Sequence, residues 1–136
     1  RLDGFRKRLE PLSNVHICAM VENEDAEICS YDRTRAMLLE HPEINALFII
    51  AGGVYGACRA VLSMERSQPL TVLAFDSVPS TVEMMKKGVI QAIIYQHPYR
   101  QGHKAMDIAF EYLVNGIMPP QSVYLLKNEI KLIENL

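Results

Sequence analysis

Residues 70–102 read LTVLAFDSVPSTVEMMKKGVIQAIIYQHPYRQG. The apolar run LTVLAF stops at Asp76, and a second run, VIQAIIY, stops at Gln96. Between them, Ser80 and Glu83 have the spacing of a helix capping box, and Gly88 stands where a helix-ending glycine belongs. Strand, helix and strand in that order predict a βαβ unit with parallel strands. Ligands of open parallel sheets bind outside the carboxyl ends of the strands. Asp76 and Gln96 stand at two such ends, so they are the first candidates for a ligand site.

The same alternation extends both ways. Residues 46–51 (ALFIIA) predict a strand that runs straight into Gly52-Gly53. A helix is predicted over 55–66, with Pro69 as its stop. Further upstream, residues 15–21 predict a short strand, and Asp25 is placed to cap a helix over 26–40. Leu2, Phe5 and Leu9 give residues 1–10 a helical stripe. Downstream, Pro98 suits the first turn of a helix over 99–115 whose stripe is Ala105, Ala109, Phe110 and Leu113, ended by Gly116. After Pro119-Pro120, residues 122–126 and 130–133 read as short extended segments. The expected architecture is α/β: a parallel sheet in three α/β/α layers, with helices on both faces.

Bulk properties narrow the function classes. The chain has 136 residues, 49% hydrophobic and 22% charged, an ordinary globular balance for one domain or part of a larger one. A net charge of −2 gives no electrostatic reason for nucleic-acid binding by these residues. No apolar run approaches the roughly 18 residues of a membrane span. The opening at Arg1 falls within a helical pattern and reads as the cut end of a longer protein. Cys18, Cys29 and Cys58 are odd in number, lie in apolar settings and match no zinc motif. Free thiols persist most easily in a reducing compartment, so a cytoplasmic location is expected.

Each candidate residue has a plain reading beside the functional one. The Asp76 carboxylate can accept hydrogen bonds from ligand hydroxyls, or cap its own turn. The Gln96 amide offers a donor and an acceptor suited to a sugar hydroxyl, or satisfies the backbone before Pro98. Gly52 and Gly53 allow close backbone approach to a ligand, or simply make a turn. They form neither GxGxxG nor GxxxxGK[ST]. His16, His41, His97 and His103 have no metal-binding spacing, and there is no GxSxG or paired nucleophile and base. No catalytic residue, metal or cofactor is therefore expected, and the chain is not expected to be an enzyme. A phospho-receiver domain matches Glu22, Glu24, Asp25 and Asp76 crudely, but residues 89–95 are followed by Gln96-His97 where that pattern wants a Lys.

Four segments together resemble the LacI/GalR repressor and type I periplasmic binding protein superfamily. RLDGF at the start resembles R-x-x-G-[FW]; AFDS resembles the strand-end G-[FY]-D segment. QHPYRQG resembles a Q-x-x-x-x-x-G hinge segment, and IKLIENL resembles the closing strand. The resemblance implies the C-terminal lobe of a two-lobed, hinged fold that closes on a small ligand, usually a sugar. Residues 1–95 would be the lobe core, and 96–136 the hinge helix and closing strands. A DNA-binding domain and most of the N-terminal lobe would lie outside the chain. Arg1, Asp76 and Gln96 are implied as ligand contacts, with Gln96 at the strand crossing. Where many relatives carry Asn-Asp, this chain has Ala51-Gly52-Gly53-Val54, leaving backbone at Gly52-Gly53 or Tyr55 to substitute.

Two functions follow from the resemblance. The first is the effector-binding half of a cytoplasmic LacI-type transcriptional regulator, homodimeric and reaching DNA only through its separate domain. The alternative is a periplasmic or extracellular sugar-binding protein of a transport system. In either, the helix after Gln96 would pack on the other lobe, so its stripe is expected to be exposed here or covered by self-association.

Overall fold

A computed structural model describes residues 1–136. Helix α1 spans Leu2–Leu9 and α2 spans Glu27–Glu40. Strand β1 (Ala46–Ile49), helix α3 (Val54–Leu62), strand β2 (Thr71–Phe75), helix α4 (Pro79–Lys86) and strand β3 (Ala92–Tyr95) then alternate. Helix α5 (Pro98–Asn115), strand β4 (Glu129–Lys131) and a 3₁₀ turn at Ile133–Asn135 complete the chain. The sheet order is β1-β2-β3-β4, with β1, β2 and β3 parallel and β4 antiparallel to β3. This is the expected α/β class.

Alternation along the strands sorts the two faces. Val72, Ala74, Ile93 and Ile49 turn to one face, where Ala57 and Cys58 of α3 and Met84 and Met85 of α4 close the main core. Met37, Leu38 and Ile44 form a smaller cluster under α2, joined by Leu47 and Ala19. On the opposite face Phe48 lies 5.6 Å from Phe75 and 4.7 Å from Phe5 of α1, measured between ring centroids. Helix α5 has no buried residue.

Gly56 sets the α2–α3 distance. A Cβ there would stand 1.9 Å from the Glu27 carbonyl oxygen, so only glycine permits this approach.

Several elements differ from expectation. Residues 15–21 form no strand: their backbone makes no ladder bonds to the free edge of β1. The apolar run buries part of Ala19 without pairing, because strand-like composition reports a half-buried surface rather than a ladder. Asp25 does not cap α2, whose N-cap is Ala26 with no side-chain bond. Its carboxylate instead accepts the Gly52 amide at 2.6 Å. Ser80 and Glu83 form no capping box, because α4 begins at Pro79 with Val78 as its N-cap, two residues earlier than a Ser80 cap requires.

Strand β3 starts at Ala92 rather than residue 89. The amides of Val89 and Ile90 close the end of α4 by bonding the Met84 carbonyl, after the left-handed Gly88. Residues 122–126 form no strand, and Leu125 is 91% exposed.

Candidate functional site

The carboxyl ends of β1, β2 and β3 open on one side of the sheet. Asp76 follows β2 directly, with its own amide bonded to the Ile94 carbonyl at 3.0 Å. That bond ties the end of β2 to β3 and aims the Asp76 side chain beyond the sheet. Gln96 follows β3, and its Nε2 donates to Asp76 Oδ1 at 2.8 Å. Arg1, at the start of α1, reaches the same carboxylate with Nη2 3.4 Å from Oδ2. Its Nη1 donates to the Ile50 carbonyl at 2.7 Å, and its guanidinium lies 4.4 Å from the centroid of the Phe75 ring. The side chains of Arg1 and Asp76 are 37% and 42% exposed, so the pair is screened and contributes little to stability. What it retains is capacity: an oriented carboxylate and spare guanidinium donors.

Four non-glycine residues adopt the left-handed backbone: Glu24, Asp25, Asp76 and His97. Asp76 and His97 end strands of the ligand edge, and Asp25 is bonded to Gly52 beyond the third. Such residues cost about 1–3 kcal/mol each and gather where the surrounding structure holds them for function. All four lie on one side of the sheet.

Asn23 and Asp25 together brace Gly52, a pairing that sequence reasoning missed. Asn23 Nδ2 donates to the Gly52 carbonyl at 2.8 Å, while Asp25 accepts the Gly52 amide. Both polar groups of Gly52 are thus occupied. Gly53 has φ +71°, and a Cβ there would meet Ser30 Cβ at 2.7 Å and Asn23 Nδ2 at 2.8 Å. Glycine is required at this corner for turn and packing reasons. The Gly53 and Val54 amides, at the N-terminus of α3, donate to no protein acceptor and line a pocket with Arg1, Phe75, Asp76 and Ser80.

That pocket holds about 210 Å³. Ligand sites ordinarily hold about 300–1,000 Å³, so it has the size of one wall of a site.

The structure brings Arg1, Asp76, Gln96 and Gly53 to this one edge. It does not bring Tyr55. That side chain lines a separate apolar groove of about 360 Å³ between α2 and α3, with Ile28, Tyr31 and Arg59. Tyr55 is one residue into α3 after Val54, and a helix turns successive side chains by about 100°, away from the strand ends. The residue expected to stand in for the absent Asn contact therefore lies apart from the Asp76 edge. Near the same helices, burial and the Glu27 charge push the Cys58 thiol up to about 12. All three cysteines are free. No three His, Cys, Asp or Glu side chains gather to hold a metal ion. No helix is long and apolar enough to cross a membrane.

The chain belongs to the periplasmic binding protein domain family, whose profile matches residues 1–116. Among solved structures it is similar to GanP, a glucose-galactose binding protein from Geobacillus stearothermophilus, with a TM-score of 0.89 and 24% identity. The match covers 99% of this chain and 48% of GanP. A solute binding protein of an ABC transporter from Agrobacterium vitis, with bound D-fucose, matches with a TM-score of 0.88 at 18% identity, covering 99% and 46%. A sugar-binding protein of a sugar ABC transporter from Bacillus halodurans gives 0.81 at 22% identity, covering 97% and 49%. At these identities the likeness establishes a type I periplasmic-binding-protein-like lobe. The chain spans about half the length of the structures it matches. No curated protein matches it.

Proposed function

We propose that this chain is one sugar-facing lobe of a solute-binding protein that serves a transport system. The observation that carries the reading is the Asp76 carboxylate, held at a strand end between the Arg1 guanidinium and the Gln96 amide. A carboxylate so held accepts from two sugar hydroxyls, while the flanking guanidinium and amide donate to others. Nothing here needs a nucleophile: binding, release and the closing of a second wall over the ligand suffice. The similar structures support the ligand class, since they are described with glucose and galactose, D-arabinose, D-fucose and tagatopyranose.

Calorimetry of the full-length protein with D-glucose, D-galactose, D-arabinose, D-fucose and D-tagatose tests the reading. At least one is expected to bind, and Asp76→Ala to weaken it at least about 100-fold, since a charged partner that closure over the sugar would bury is lost (about 2.7 kcal/mol). Binding of none of the five, or unchanged affinity in Asp76→Ala, would overturn it.

A second reading has its own support. Three free cysteines, with Cys18 exposed, suit a reducing compartment and hence the effector-binding part of a LacI/GalR-type regulator. There, ligand closure would alter DNA affinity through a separate domain, in a homodimer. Cell fractionation separates the two: recovery outside the cytoplasmic membrane supports the transport reading, and recovery in the cytoplasm with DNA retention supports the regulator.

A further inference from the structure

His97 directly follows Gln96 and belongs to no contact described so far. Its backbone is left-handed, with φ 54° and ψ 56°, a conformation uncommon for a non-glycine residue and costly unless neighbouring contacts hold it. Its side chain is held against β4. His97 Nε2 lies 3.2 Å from Glu129 Oε2, and the imidazole packs 4.5 Å from the Tyr95 ring, centroid to centroid. The histidine side chain is only 17% exposed. Glu129 is itself fixed: it stands opposite Tyr95 in the antiparallel ladder, and its Oε1 takes the Lys131 ammonium at 2.8 Å. That ammonium holds the Glu129 carboxyl below its usual range, against desolvation, with smaller help from His97 and Arg100. Lys131 Nζ also donates to the Asn135 carbonyl at 3.2 Å.

We propose that His97, anchored by Glu129, is a positioning residue that holds the Gln96 amide on Asp76. The proposal rests on the sugar-binding reading above. The Gln96–Asp76 bond is bracketed by two left-handed residues, Asp76 and His97. Asp76 is secured by its amide bond to Ile94, and Gln96 by the Gln101 side chain on its carbonyl at 2.7 Å. The turn at His97 has no such backbone tie on the β3 side, and its ring supplies one across 32 residues of sequence. Released from Glu129, the turn would relax toward ordinary backbone geometry and swing the Gln96 amide away from the carboxylate. His97 touches no ligand in this scheme; it acts through Gln96.

The test uses the full-length protein, with D-galactose as first probe and D-glucose, D-arabinose, D-fucose and D-tagatose in turn. Sugar Kd is read by calorimetry, and the Gln96 side-chain amide signals by NMR without sugar. Glu129→Ala and His97→Gly are each expected to raise Kd about tenfold. Glycine is the informative replacement because it tolerates the left-handed backbone and keeps the chain folded. The double variant should be no weaker than either single one, since both remove one interaction. Glu129→Gln, which keeps an acceptor for the imidazole, should stay within about threefold of the parent. Unchanged Kd and unmoved Gln96 signals in folded His97→Gly would overturn the proposal. Failure of every sugar to bind the parent would overturn the binding reading instead, and the Gln96 signals would still decide the positioning role.

Discussion

At the residue scale, Asp76 joins two costs that favour opposite replacements. Its φ of 65° lies in the left-handed region, which aspartate tolerates and glycine adopts at less cost. Its carboxylate bridges Arg1 and Gln96. Asp76→Gly is therefore expected to raise stability by up to about 1 kcal/mol while abolishing measurable sugar binding, checked by urea unfolding beside calorimetry. Gly53 has the opposite sign. Gly53→Ala adds a Cβ at φ +71° against Ser30 and Asn23 and should cost about 2–3 kcal/mol. Gly88→Ala, with φ +76° but open space around it, should cost only about 1 kcal/mol in the same urea series.

Cys58 supplies a pH prediction at this scale. Its pKa is raised from 9.0 to about 12, chiefly by burial and then by the Glu27 charge. Between those values the native state keeps a proton that the unfolded chain has lost. The Cys58 contribution to stability should then be constant below about pH 9 and fall above it, by at most about 1.4 kcal/mol per pH unit. Urea unfolding from pH 7 to 11 checks this: Cys58→Ala should remove the extra slope. Cys18, exposed, should react with a thiol reagent in the native state while Cys58 reacts only on unfolding.

At the element scale, what could be read from the sequence was what local chemistry marks. The ends of β2 and β3 are legible because a buried apolar run meets Asp76 or Gln96 abruptly. Helix α5 is bounded by Pro98 and Gly116, and both act as their residue types require. Illegible were features whose partner lies far along the chain. Asp25 looks like a helix cap, but its acceptor role is taken by the Gly52 amide, 27 residues on. Residues 15–21 look like a strand, but a ladder needs a neighbour at the right height, which composition does not encode. The Glu129 anchor of His97 was hidden for the same reason.

Helix α5 carries this scale's prediction. Met106, Phe110 and Leu113 are 70%, 56% and 77% exposed on one helix, an apolar surface larger than scattered residues explain. The 136-residue chain by itself should associate with rising concentration and bind a hydrophobic dye. Phe110→Lys with Leu113→Lys should shift it toward monomer in light scattering, with little change in unfolding midpoint because neither side chain is buried.

At the scale of the whole molecule, the question is how much of a binding site one lobe can supply. The polar groups converge correctly: an acceptor at Asp76, donors at Arg1 and Gln96, and unpaired amides at Gly53 and Val54. Yet about 210 Å³ open to solvent cannot enclose a pyranose, and groups contacting one side leave the other hydrated. A hydrogen bond made in competition with water contributes only about 0.5–1.5 kcal/mol, so four or five of them on one open wall barely offset the freedom lost on binding. Closure by a second wall changes this by excluding water from the same bonds. A sugar that binds the full-length protein should stabilise it by about 2.7 kcal/mol at 100 times Kd. The 136-residue chain alone, at the same sugar concentration, should show no resolvable shift in Tm. Parallel thermal melts of the two would check this, and an equal shift in both would mean that this edge of the sheet is a complete site by itself.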